Sequence, residues 1–117
     1  MDNGWPVGEA EVYLDLRGEG LNPDGAVIDA AGNMWVAQWG ACRIAAYSPD
    51  GTFLKAVEFD ALQTSCPAFG GADLTTLYCT TAAVGLKAET LKKHPSNGMT
   101  FLSMDAGKGQ AEHQVIL

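Results

Sequence analysis

The sequence predicts an all-β chain: a partial β-propeller of two four-stranded antiparallel blades with one strand in front of them. Three observations carry this. Apolar residues alternate with period two in short runs, and turn residues break those runs every few positions. The pattern then repeats: Pro23 and Pro67 stand 44 positions apart, and Trp35 and Tyr78 stand 43 apart. A repeat of roughly 40–50 residues carrying four strands is the mark of propeller blades. A β-sandwich also has short strands at regular spacing, but the matched interval and the paired aromatic positions favour blades.

Taken in order, the leading strand is read over about 11–16, around Val12-Tyr13-Leu14, and Gly18-Glu19-Gly20 ends it. The first blade, about 23–59, begins with Ala26-Val27-Ile28. Asp29-Ala30-Ala31-Gly32-Asn33 follows as a hairpin turn of residues that tolerate left-handed backbone. Met34 to Gln38, Arg43 to Tyr47 and Phe53 to Phe59 complete that blade, the last two joined by Ser48-Pro49-Asp50-Gly51. The second blade, about 66–117, starts at Pro67-Ala68-Phe69-Gly70 and continues through Thr76 to Thr81. An insertion, Lys87 to His94, reads as one or two helical turns, after which Met99 to Met104 and His113 to Leu117 supply the last two strands.

Hydrophobic residues make up 47% of the chain and charged residues 18%, too apolar for a disordered segment. The formal net charge is −7, and Lys92-Lys93 is the one adjacent basic pair. That excludes nucleic acid and an anionic membrane surface as expected partners. The opening Met-Asp-Asn-Gly-Trp-Pro has neither the basic nor the apolar region of an export signal. The expectation is a cytoplasmic protein in which Cys42, Cys66 and Cys79 are reduced thiols, with Cys66 and Cys79 as small core residues. No Cys-x-x-Cys pair, Gly-x-Ser-x-Gly elbow or His-Glu-x-x-His motif is present, and His94 and His113 are read as surface residues.

One series of residues says more. Leu21-Asn22-Pro23-Asp24-Gly25-Ala26-Val27-Ile28-Asp29 precedes Gly32-Asn33-Met34-Trp35-Val36-Ala37-Gln38-Trp39-Gly40 and Arg43. Thr64-Ser65-Cys66-Pro67-Ala68-Phe69-Gly70-Gly71, Leu77-Tyr78-Cys79-Thr80 and Gly85-Leu86 come after them. In this order and spacing the series resembles the C-terminal part of the senescence-marker-protein/gluconolactonase/luciferin-regenerating-enzyme (regucalcin-like) family. The resemblance runs from about Glu11 onward. It implies a six-bladed propeller, a divalent metal (calcium or zinc type) in the central channel, and hydrolysis of sugar lactones.

It also implies a metal held by a Glu near the N-terminus, an Asn from a middle blade and the Asp of a Pro-Asp-Gly motif, and Asp24 matches the last of these. Pro-Asp-Gly is a common turn sequence too, and Pro49-Asp50-Gly51 serves as an internal control because it sits between two strands of one blade. The other two ligands have no counterpart. Asn3-Gly4 lies 21 residues before Asp24, closer than a blade's length, and Ser96-Asn97-Gly98 falls in the last blade. The expected function is that of a fragment of a metal-dependent sugar-lactone hydrolase. A complementing chain, a second copy in a homo-oligomer, or a longer parent protein of which this is a fragment would complete its channel. The alternative is a non-catalytic, self-associating propeller fragment or small-ligand-binding module.

Overall fold

The structure is a computed structural model describing residues 3–117. Met1 and Asp2, where the segment read for an export signal begins, lie outside the described residues. Among the described residues seven strands form two antiparallel sheets. β1 (Asn22–Ile28), β2 (Met34–Trp39), β3 (Arg43–Tyr47) and β4 (Phe53–Glu58) succeed one another as a meander in the first. β5 (Gln63–Gly70), β6 (Thr76–Ala82) and β7 (Phe101–Ser103) form the second, with a short helix α1 (Ala88–Lys93) between its last two strands. The architecture is a partial propeller, as the repeat predicts. Among the described residues no helix is long and apolar enough to cross a membrane.

Each sheet turns one face toward the other. Trp35, Ala37, Ile44 and Ala46 of the first pack with Leu77 and Cys79 of the second, flanked by Val27, Val57, Phe69 and Phe101. Trp35 meets Phe69 edge-on at 5.2 Å between ring centroids, and Phe59 meets Phe101 at 5.6 Å. Such aromatic pairs add roughly 0.5–1.5 kcal/mol each beyond the area they bury. The far face of the first sheet, Val36, Ala45 and Tyr47 among it, is covered by Leu14, Leu16 and Leu21.

The hairpin between β1 and β2 is held by a carboxylate. Asp29 accepts from the backbone N–H of Ala31 (2.9 Å) and of Asn33 (2.9 Å), from Asn33 Nδ2 (3.1 Å) and from Trp35 Nε1 (2.9 Å). The turn read at Asp29 to Asn33 is therefore also a clamp on the central tryptophan. Between β3 and β4, Gly51 has φ +82°, a left-handed backbone that glycine adopts without strain. Its N–H donates to the Ser48 carbonyl at 2.8 Å, which makes Pro49-Asp50-Gly51 a tight turn.

Two predicted strands do not form. Residues 11–16 pair with no strand; without a neighbouring backbone the segment packs by side chains instead, burying Leu16 before a 3-10 turn at Arg17–Glu19. His113 to Leu117 are likewise outside any strand, so the second sheet has three strands where four are predicted. Beyond β7 the chain turns back across the sheets. Ala106 enters the core, the Lys108 carbonyl accepts from Ala30 N (2.9 Å), and Gly109 N donates to Leu74 O (2.8 Å). Gln110 Nε2 then donates to Ile28 O (3.4 Å), which draws the C-terminal end of the chain toward β1 and away from the free edge of β7.

The cysteines also depart from expectation in one case. All three are unpaired, Cys79 is fully buried and Cys66 is exposed. Burial, with Cys66 adding to it, pushes the Cys79 thiol up to about 12.

Burial by itself raises the Asp29 carboxyl, but the hydrogen bonds from Trp35, Asn33 and Ala31 more than offset that and hold it below the usual range. Its contribution to stability is thus present above the unfolded-state value of about 3.9 and lost as pH falls through the lower folded-state value. Asp29→Ala is expected to destabilise by roughly 2–3 kcal/mol, because it orphans several buried donors. Denaturant unfolding at a series of pH values checks both points: the gap between parent and variant should narrow below about pH 4.

Candidate functional site

β1 and β5 each form one edge of their sheet, and they lie against one another. The strand pairing slips in both. In β1, Pro23 pairs with Gln38 and Ala26 with Val36, so Asp24 and Gly25 share one partner residue as a β-bulge. In β5, Thr64 pairs with Thr81 and Cys66 with Thr80, which leaves Ser65 as a bulge. Bulges bend a strand and re-aim its side chains, and they recur beside functional sites.

The two bulges touch. A Cβ built on Gly25 would stand 2.8 Å from Ser65 O, 2.9 Å from Cys66 Sγ and 3.0 Å from Cys66 Cα. Only a residue without a side chain allows this approach, and it sets the position of Asp24 next to it. The glycine within a strand pattern is the sequence signal for such a contact; the bulge at Ser65 has no comparable signal.

Asp24 is exposed, and its carboxylate accepts no hydrogen bond among the described residues. Asp50 has the same flanking residues and a different fate. Its carboxylate accepts from Ser48 Oγ and from Thr52 N, and these bonds lower its pKa. One Pro-Asp-Gly is closed on itself in a turn. The other presents a free carboxylate from an edge strand.

No partner for Asp24 comes from the other candidates. Asn97 is buried, its Oδ1 accepting from Leu62 N (2.8 Å) and its Nδ2 donating to His94 O (2.7 Å), so it fastens the α1 insertion rather than facing a channel. His94 lies 3.2 Å from Asp60 at the surface. His113 and Glu112 border an open groove of about 630 Å³, together with Cys66, Pro67 and Ala26 to Ile28 of β1. Asp24 does not line that groove. Among the described residues no three His, Cys, Asp or Glu side chains come together as a cation site. A hard cation takes six or more oxygens, of which one carboxylate gives one or two. The residues present do not by themselves fit a divalent metal.

Two propeller blades whose bulged edge strands meet around a free carboxylate define the class: a portion of a propeller wall. Residues 2–83 match the SMP-30/Gluconolactonase/LRE-like region family, and the chain belongs to that family. It is 40% identical over 96 residues to a 6-deoxy-6-sulfogluconolactonase of Pseudomonas putida, which spans 82% of this chain and 33% of the relative. It is 34% identical over 108 residues to an L-arabinolactonase of Azospirillum brasilense, 92% of this chain and 35% of that protein. The crystal structure of regucalcin from Agrobacterium tumefaciens, described as a calcium-binding protein, superimposes on 97% of this chain and 39% of its own, with a TM-score of 0.91 and 37% identity. The chain thus spans about a third of the length of the relatives it matches.

Gly25→Ala is expected to force β1 and β5 apart and to destabilise by roughly 1–3 kcal/mol, as overpacking does. The midpoint of denaturant unfolding measures it. An unchanged midpoint would mean that the two bulges are not held in contact.

Proposed function

We propose that this chain supplies part of the channel wall of a sugar-lactone hydrolase, and that Asp24 is the functional carboxylate it brings. The observation that carries this reading is the contrast between the two Pro-Asp-Gly segments: Asp50 is consumed by its own turn, while Asp24 stands free on a bulge where the edge strands of two blades meet. The family supports the reaction class, since its relatives include sugar lactonases. In that reaction water attacks the lactone carbonyl, the ring C–O bond breaks, and a hydroxy acid leaves.

This chain alone does not assemble the site. The remaining channel wall, with the other donors to a calcium- or zinc-type cation, comes from a complementing chain, from further copies, or from the rest of a longer parent protein. The three unpaired cysteines suit a reducing, cytoplasmic setting. A second reading, a non-catalytic self-associating fragment, is favoured by the absence of any acid or imidazole cluster among the described residues.

The purified chain should leave gluconolactone-type substrates at the background rate, with or without added calcium or zinc; robust metal-dependent turnover would overturn that. A chimaera in which this chain replaces the matching third of the Pseudomonas putida relative should hydrolyse its lactone. Within the chimaera, Asp24→Asn should lower kcat/KM by about 100-fold or more, the scale of losing one fixed electrostatic contact at a reacting centre. Asp50→Asn should leave it unchanged. Equal effects of the two substitutions would remove Asp24 from the site.

A further inference from the structure

Asp24 stands at the end of the first sheet where β1 begins, and β5 of the second sheet lies against that strand. Apolar contacts, Trp35 on Phe69 and Phe59 on Phe101, hold the two sheets together. Such contacts have no preferred direction along the strands, so they tolerate a small slide of one sheet over the other. A hydrogen bond does not, because its distance and its angle are both restricted. The level of β5 against β1 is therefore set where the sheets exchange hydrogen bonds.

Among the described residues, one side chain on a strand of either sheet makes that exchange with a strand of the other: Thr64 of β5. It is fully buried, and its hydroxyl donates one proton between the Gln38 carbonyl at 3.1 Å and the Arg43 carbonyl at 2.9 Å. Both acceptors are fixed. The turn between them is fastened by Cys42, whose N–H donates to Leu62 O (3.2 Å) and whose carbonyl accepts from Phe59 N (2.8 Å).

These bonds converge on Asp24. Gln38 is the strand partner of Pro23, the residue before Asp24. Ser65, the residue after Thr64, sets its carbonyl against Gly25, the residue after Asp24. Adjacent residues of β5 thus grip both flanks of the Asp24 bulge, Thr64 through β2 and Ser65 directly.

We infer that Thr64 is a positioning residue, whose hydroxyl fixes the level of β5 against the first sheet and so holds Asp24 in place. The inference rests on the reading of Asp24 as the functional carboxylate. Valine has the shape of threonine without the hydroxyl, and the Gln38 carbonyl keeps the Ala41 N–H (3.0 Å) as a donor when that hydroxyl is gone. Thr64→Val therefore removes the tie and leaves the packing.

The amide proton–nitrogen spectrum of the full chain reads the position without any substrate. In Thr64→Val the Asp24 and Gly25 peaks should move, while those of Asp50 and Gly51, held by their own turn, should not. Thr64→Ser keeps the hydroxyl and should return the Asp24 and Gly25 peaks to their parent positions. In the parent the Thr64 hydroxyl proton should itself be visible, since burial and bonding slow its exchange with water. A hydroxyl proton lost to fast exchange overturns the inference even where the valine variant does not fold. Unmoved Asp24 and Gly25 peaks in a folded Thr64→Val overturn it too, as does a serine variant that shifts them as far.

In the chimaera with the Pseudomonas putida relative, Thr64→Val should lower kcat about 10-fold per folded molecule and leave KM unchanged, the mark of a misplaced group. Added to Asp24→Asn it should cost nothing further, because it acts through that carboxylate alone. An additive loss overturns the inference. An Asp24→Asn chimaera as fast as its parent overturns the lactonase role of Asp24 instead, and the peak shifts still report whether Thr64 places it.

Discussion

The Trp35 indole ties together the β1–β2 hairpin, the second sheet, β4 and the segment that crosses back after β7. Its Nε1 donates to Asp29 of the hairpin, its ring meets Phe69 of the second sheet edge-on, and Lys55 of β4 lies over it at 5.1 Å from the centroid. Gly107 packs so closely on the same ring that a Cβ there would stand 2.7 Å from Cζ2. A large aromatic group with one polar atom suits this position: the ring supplies area, and the N–H needs an acceptor once buried. Asp29 is that acceptor. The register of β1 against β2, and hence the level at which the Asp24 bulge meets β5, depends on this arrangement.

That dependence separates a structural carboxylate from a functional one. Asp29 and Asp24 sit five positions apart on the same strand and its turn. Asp29 is buried and fully hydrogen-bonded, while Asp24 is exposed and free. A saturated carboxylate stabilises but has no lone pairs to offer a ligand. An unsatisfied carboxylate at the surface costs little and stays available, which is the condition a channel-wall residue must meet.

The first blade is legible in the sequence almost strand for strand, because each connection carries its own turn chemistry: Asp29 to Asn33, then Gly40, then Ser48 to Gly51. The segments that form no strand, 11–16 and 113–117, have suitable side chains but no backbone beside them, and a strand cannot be specified by its residues alone. Cys66 departs from its expected burial for a related reason. A bulge at Ser65 shifts the alternation, and alternation is what places that thiol inside. The Pro-Asp-Gly motif points to Asp24, yet its difference from Asp50 is visible only because one lies in a bulge and the other in a turn. The contact between Gly25 and β5 spans some forty residues of sequence, and no local pattern encodes it.

The crossing segment around Ala106 to Gly109 has a bearing on biosynthesis. These residues seal the seam between the sheets, touching Trp35, Phe69, Ala30 and Leu74, yet they are made after every strand they fasten. The first sheet therefore leaves the ribosome before the strap that joins it to the second. The early hairpins, held by local turns and by the Asp29 clamp, form within reach of the tunnel exit. Docking of the two sheets must wait for chain made later, and during that interval the inner face of the first sheet, with Trp35 and Ile44 on it, stands open to the chaperones of the nascent chain.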